Sequence, residues 1–147
     1  MAARVYAGWG MDAPIYTWMS ASDWWVSFGV RIDGVGAAVL CMVTLVGSLI
    51  HLYSAGYMKG DPGFSRFFLS FHLFFLSMIG LLVSNNYAQF YLFWEAVGLA
   101  SYLLIGFWTH KAQARRAAMQ AFLTNRVGDA GLMLAVLLIF ARFGNTH

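Results

Sequence analysis

The chain has 147 residues, 61% of them hydrophobic and only 10% charged, with a mean hydropathy of +0.66. Typical globular chains are about 45–50% apolar and about 25% charged, so there is too little charge here to coat a globule, and lipid is the expected solvent. The same figures exclude disorder, collagen-like repeats and coiled coils. The single cysteine, Cys41, excludes a disulfide framework or multi-cysteine metal site, and the net charge of +3 is spread singly between apolar runs, unlike a nucleic-acid patch.

Residues 1–32 precede the first apolar run and mix Trp9, Tyr16, Trp18, Trp24, Trp25 and Phe28 with Asp12, Ser20, Ser22 and Asp23. A signal peptide would show a basic start and an unbroken apolar core, and this segment has neither. The stretches Ile15-Tyr16-Thr17-Trp18-Met19 and Trp25-Val26-Ser27-Phe28 predict two brief paired strands, which the tryptophans place at a membrane interface. Four apolar stretches follow, at 34–57, 67–83, 86–108 and 117–141. Each has the roughly 17–25 residues that an α-helix needs to cross about 30 Å of hydrocarbon. The breaks between them are a Lys59-Gly60-Asp61-Pro62-Gly63 turn, a Ser84-Asn85-Asn86 turn and the charged segment 109–116. The expected fold is an all-α membrane protein: an extracytoplasmic interfacial hairpin over 1–32, then four transmembrane helices within 33–147. No repeat, low-complexity segment or second domain is visible.

Lysine and arginine set the orientation. Lys59, Arg66, Lys111, Arg115 and Arg116 fall in the loops after the first and third helices, whereas Arg4, Arg31 and Arg142 fall on the opposite side. That bias predicts both termini outside.

Inside a bilayer the ionisable side chains are the informative ones, because each costs several kcal/mol unless paired or hydrated. Glu95 lies about two residues, roughly 3 Å, from the centre of the third stretch. Asp129 is central in the fourth, and Arg126, three residues earlier, shares its helical face. Two carboxylates at one depth, one with an arginine beside it, predict a proton relay, in which desolvation and a nearby cation act on the carboxyl in opposite directions. The competing reading is that these groups only hold helices together. His51 and His72 lie toward the inner ends of their helices and are candidates for proton entry. They also fit plain helix packing, while a bis-histidine haem site has only one histidine on each of two helices to support it. Lys111, Arg115 and Arg116 read as topology charges at a solvated helix start. Gly98, Gly106, Gly128 and Gly131, with Ala96, Ala100 and Ser101, suit close helix packing, and room for water beside the acids is the second reading. No phosphate loop, Ser/His/Asp set or zinc spacing occurs.

The run Phe93-Trp94-Glu95-Ala96-Val97-Gly98-Leu99-Ala100-Ser101-Tyr102-Leu103-Leu104-Ile105-Gly106-Phe107 closely resembles the glutamate-bearing helix of antiporter-like membrane subunits of NADH:quinone oxidoreductase (respiratory complex I), of the subunit L type. So do Asp33-Gly34, Tyr57-Met58-Lys59-Gly60, Phe64-Ser65-Arg66-Phe67-Phe68, Ala118-Met119-Gln120-Ala121-Phe122 and Asn125-Arg126-Val127-Gly128-Asp129. The resemblance implies a proton-pumping membrane unit coupled to quinone reduction, with no cofactor or metal of its own. In it Glu95 matches the family's interface glutamate and Asp129 the acid that modulates it. The implied partners are other membrane subunits of the complex, the remainder of its own subunit, lipid and protons, with no nucleic acid. The implied location is a bacterial or mitochondrial inner membrane. The family has two helices before the hairpin, and after Asp129 a long continuation with broken helices that carry the partner lysines. This chain is therefore expected to be a fragment, truncated product or half of a split subunit, and not to pump alone. The alternatives are a subunit of a cation/proton antiporter or inorganic-carbon-uptake complex, which shares the Trp-Glu helix, or a non-transporting membrane fragment.

Overall fold

The computed structural model describes residues 4–6, 10–21 and 24–143. Trp9, Ser22 and Asp23 of the interfacial reading lie outside them, as do both chain ends. Three antiparallel strands come first: β1 (Arg4–Tyr6), β2 (Gly10–Ala21) and β3 (Trp24–Ile32), in the order β1-β2-β3. The brief strands expected at 15–19 and 25–28 lie inside β2 and β3, which pair from Met11 opposite Ile32 to Ala21 opposite Trp24. Irregularities between Pro14 and Tyr16 and between Thr17 and Met19 break the alternation there. That is why only short pieces of each strand show a clean period of two. Tyr16 stacks on Phe28 at 5.5 Å and Trp18 meets the same ring edge-on.

Four helices follow: α1 (Gly34–Tyr57), α2 (Phe64–Leu82), α3 (Tyr87–Ile105) and α4 (Ala112–Phe143). Their starts are written in side chains that satisfy otherwise orphaned amides. Asp33 caps α1 by accepting from the Gly36 amide at 2.7 Å, and Asn86 caps α3 by accepting from the Gln89 amide at 2.8 Å. Before α2, Gly60 takes φ +88° and the Asp61 carboxylate accepts from the Gly63 amide. α4 begins inside the segment read as a charged loop and runs for 32 residues, roughly 48 Å.

α1, α2 and α3 are long and apolar enough to cross a membrane, with mean hydropathies of 2.2, 1.6 and 1.3 over their best stretches. α4 is not among these three. Its length suffices, but it carries Arg115, Arg116, Arg126, Asp129 and Arg142.

The sheet closes over the turn between α2 and α3. The Gln89 side chain both accepts from the Gly29 amide at 3.0 Å and donates to the Gly29 carbonyl at 2.9 Å. Asn86 donates to the Ser27 carbonyl, and the Arg31 amide to the Val83 carbonyl. Gly29 lies so close to Asn85 that a β-carbon there would overlap that side chain. At the opposite end, Arg66 donates to the Phe107 carbonyl at 2.7 Å and ties the start of α2 to the end of α3. The strands and the 84–86 turn therefore occupy one end of the helices, and the loops before α2 and α4 occupy the other.

Between those ends, α2 and α3 pack most extensively, α4 lies on α3, and α1 leans on α2. Burial runs opposite to that of a soluble protein. Ser70, Ser77, Gln89 and Asp129 are buried, while Leu52, Leu69, Val127 and Leu138 are exposed. On α4, Val127 is 78% exposed and Asp129 only 7%. The buried hydroxyls of Ser70 and Ser77 donate to carbonyls one turn back, so little polar surface meets the apolar solvent. The protein is an integral membrane protein.

Candidate functional site

α3 and α4 bring Glu95, Arg126 and Asp129 into one cluster. Glu95 lies one residue from the middle of α3, about 1.5 Å along its axis. Its Oε2 is 2.5 Å from Arg126 Nη1, and the same Nη1 is 3.7 Å from Asp129 Oδ2. The sequence pairs Arg126 with Asp129, its neighbour on the same helix face. In the folded protein the guanidinium bridges both acids, and its shorter contact crosses to α3. Its flat face rests over Phe122 at 4.7 Å, as a weakly hydrated planar cation can.

Each carboxylate has a second partner. Tyr91 Oη donates to Glu95 Oε1 at 2.7 Å, and Trp94 Nε1 donates to Asp129 Oδ1 at 2.7 Å. Neither role is evident in the sequence. Tyr91 precedes Glu95 by one helical turn, a spacing that could have exposed it. Trp94 reaches across to another helix, and no local spacing reports that.

With two carboxylates and one guanidinium, the fully ionised cluster carries one surplus negative charge. A single proton, or one further cation, neutralises it. A cavity of about 290 Å³ opens beside Asp129, between Trp94, Gly98 and Ser101 on α3 and Thr124, Asn125 and Gly128 on α4. At roughly 30 Å³ of liquid volume each, several water molecules fit there. Of the four glycines expected to pack closely, one does so among the described residues. Gly106 packs closely against Ala118, whereas among the described residues nothing beyond the adjoining turns of their own helices comes within 4 Å of a β-carbon placed on Gly98, Gly128 or Gly131.

His51 and His72 also come together, but on the α1–α2 side. Their rings meet edge-on at 4.8 Å, and His51 stacks on Phe71 at 4.1 Å. Each Nδ1 faces the carbonyl one turn back, Gly47 for His51 at 2.7 Å and Phe68 for His72 at 2.6 Å. That leaves His51 Nε2 buried with no hydrogen-bond partner among the described residues. Neither histidine shares a hydrogen bond or ion pair with the acidic cluster among those residues. No three of His, Cys, Asp and Glu among them converge as metal ligands would.

Comparison with known families bears on this arrangement. Residues 18–68 match the model for the N-terminus of chain 5 of NADH-ubiquinone oxidoreductase (complex I). Residues 84–147 match the model for the transmembrane region of NADH:quinone oxidoreductase and Mrp antiporter subunits. The chain belongs to this NADH:quinone oxidoreductase/Mrp antiporter family.

Similar proteins include NADH-quinone oxidoreductase subunit L of Mycobacterium tuberculosis, 51% identical over 130 residues, or 88% of this chain and 20% of that protein. Subunit L of Escherichia coli K12 is 44% identical over 134 residues, 91% of this chain and 22% of that protein. NAD(P)H-quinone oxidoreductase chain 5 of Synechocystis is 45% identical over 133 residues, 90% of this chain and 20% of that protein. The chain spans about a fifth of the length of the curated relatives it matches. Glu95, Arg126 and Asp129 all fall within the antiporter match, and His51 falls within the first match. His72 falls between the two.

Proposed function

We propose that this chain is the carboxylate-bearing part of an antiporter-like subunit, moving protons for an NADH:quinone oxidoreductase without carrying a redox group itself. The observation that carries the reading is the cluster of one guanidinium and two carboxylates, held at mid-depth between α3 and α4 and opening on a cavity with room for water. A surplus negative charge in that setting attracts a proton, and displacing Arg126 from one acid toward the other changes which carboxylate holds it. His51 and His72, paired at the α1–α2 interface, serve as a second protonatable group nearer the loop end. Partners are the remainder of the subunit, which supplies the moving cation, and neighbouring membrane subunits of an energy-transducing inner membrane. The second family match, which includes Mrp antiporters, favours a cation/proton antiporter as the other reading.

On this reading α4 also spans the membrane. Its two mid-helix charges, Arg126 and Asp129, meet α3, while Val127, Leu134 and Leu138 face outward, so the middle of the helix presents an apolar surface to lipid. The ends of the bundle differ in charge. Lys59, Arg66, Lys111, Arg115 and Arg116 gather at the loop end and give the inner face, and the sheet lies outside. Cysteine scanning in a Cys41→Ser background checks this. Thr17→Cys and Asn85→Cys should react with an impermeant thiol reagent added outside intact cells, and Lys59→Cys and Arg115→Cys should not. Outside labelling at 59 or 115 reverses the topology.

The test of function is Asp129→Asn in the complete subunit. It leaves Glu95 and Arg126 as a balanced pair with no surplus charge to draw a proton. Proton uptake per NADH oxidised by sealed inverted vesicles should fall while the amount of assembled subunit holds. Unchanged uptake overturns the role of the cluster.

A further inference from the structure

At the loop end, two arginines from different helices are pinned to the same short piece of chain. Arg66 Nη2 donates to the Phe107 carbonyl at 2.7 Å, and Arg115 Nη1 donates to the Thr109 carbonyl at 2.8 Å. Both arginines line one cavity of about 520 Å³ between α2, α3 and α4. Neither meets a carboxylate among the described residues, where Arg126 is the arginine in ion pairs. The loops before α2 and α4, 58–63 and 106–111, hold one acid, Asp61, which is engaged with the Gly63 amide. Arg115 also stands in the first turn of α4, which has no acidic residue, so it adds positive charge to the positive end of a helix. Two cations fastened to one short segment of backbone repel each other, and among the described residues neither has an anionic partner.

Each guanidinium has five N–H donors in a planar fork, and the backbone bonds leave most of them for another acceptor. Ser70 and Thr109 line the same cavity, and much of the rest of its wall is the apolar or aromatic surface of Tyr102, Leu103, Phe107 and Met119. Leu103 and Met119 remain 40% and 50% exposed on the flanks that lead into the apolar span. The chemistry is that of a phosphate group joined to hydrocarbon, at the depth where a membrane-spanning helix meets water. We propose that Arg66 and Arg115 form a binding site for the headgroup phosphate of an anionic phospholipid, whose acyl chains lie along Tyr102, Leu103 and Met119. This site is separate from the acidic cluster and does not depend on the direction of proton movement.

The test uses the intact membrane complex carrying the complete subunit, incubated with a photoactivatable phosphatidylglycerol and mapped by peptide mass spectrometry. Wild type should crosslink within 102–119. Unlabelled phosphatidylglycerol should compete, and phosphatidylcholine with the same chains should compete much less. Arg66→Gln/Arg115→Gln should weaken the crosslink roughly tenfold or more, as loss of two basic contacts predicts. Arg66→Lys/Arg115→Lys should recover part of it. Because Arg66 also clamps α3, Arg115→Gln alone, at an exposed position, is the variant that keeps the fold and should still weaken labelling. Labelling unchanged in Arg115→Gln and the double variant overturns the proposal. So does equal competition by phosphatidylcholine, displacement by inorganic phosphate alone, or the absence of labelling at 102–119 in wild type.

Discussion

Arg126→Ala is expected to lower sharply the amount of assembled subunit in membrane fractions, before any question of activity arises. Arg126 is the only cation within ion-pair distance of Glu95 and Asp129 among the described residues. Removing it leaves two carboxylates facing each other at mid-depth, with only the Tyr91 hydroxyl and the Trp94 indole as donors. Breaking a fully buried pair by deleting one partner costs about 3–5 kcal/mol, mostly the penalty of the charge left behind, and this is an upper bound here because the Arg126 side chain is 42% exposed. That is comparable to the whole stability of a marginal domain. Arg126→Lys restores one charge without the fork that reaches both acids, and should give an intermediate level. Adding Glu95→Gln to Arg126→Ala removes one of the two stranded charges and should raise the level again. Quantitative blotting of washed membranes measures all three. Normal assembly of Arg126→Ala would show that water or a partner from outside this chain already solvates both acids.

The bundle was legible in the sequence because lipid makes apolar length nearly sufficient. α1 has the expected bounds, and the turns at 59–63 and 84–86 lie where glycine, proline and asparagine mark them. The sheet was half legible. Alternation survives in the middle of β2 and β3, but the irregularities break it elsewhere, and β1 is a three-residue edge with no signal of its own. α4 was harder, because its first turns hold arginines that read as loop while its middle carries the charges that keep it out of a purely apolar class. The three charged residues of the site were visible because ionisable groups in lipid stand out. Their connectivity was not visible. Spacing along α4 links Arg126 to Asp129, whereas the contact that joins the helices depends on the rotation of α3 against α4. Gln89 shows the same limit. In the sequence it is a lone polar residue near a helix start, and only the fold makes it the pin that holds Gly29.

Glu95→Gln separates a group that changes charge from one that only holds helices together. The substitution preserves shape, and the new side chain's oxygen can still accept from Tyr91, which now sits 2.7 Å from Glu95 Oε1. It removes the charge that draws Arg126 across to α3, leaving the guanidinium with Asp129, now at 3.7 Å. If Glu95 must gain and lose a proton during turnover, Glu95→Gln should abolish or greatly reduce NADH-driven proton uptake into vesicles while the subunit still assembles. Glu95→Asp keeps the titratable group but draws it back by about one methylene, roughly 1.5 Å. It loosens both the Arg126 and the Tyr91 contacts and should retain part of the uptake. Helix adhesion alone predicts the reverse order. An interhelical hydrogen bond within a membrane is worth about 0.6 kcal/mol on average, and glutamine keeps the reach to make one while aspartate falls short. Recording the oxidation rate alongside uptake distinguishes lost coupling, where NADH is still consumed, from a complex that has failed to assemble. Full pumping by Glu95→Gln with wild-type oxidation would rule out proton exchange at this carboxylate.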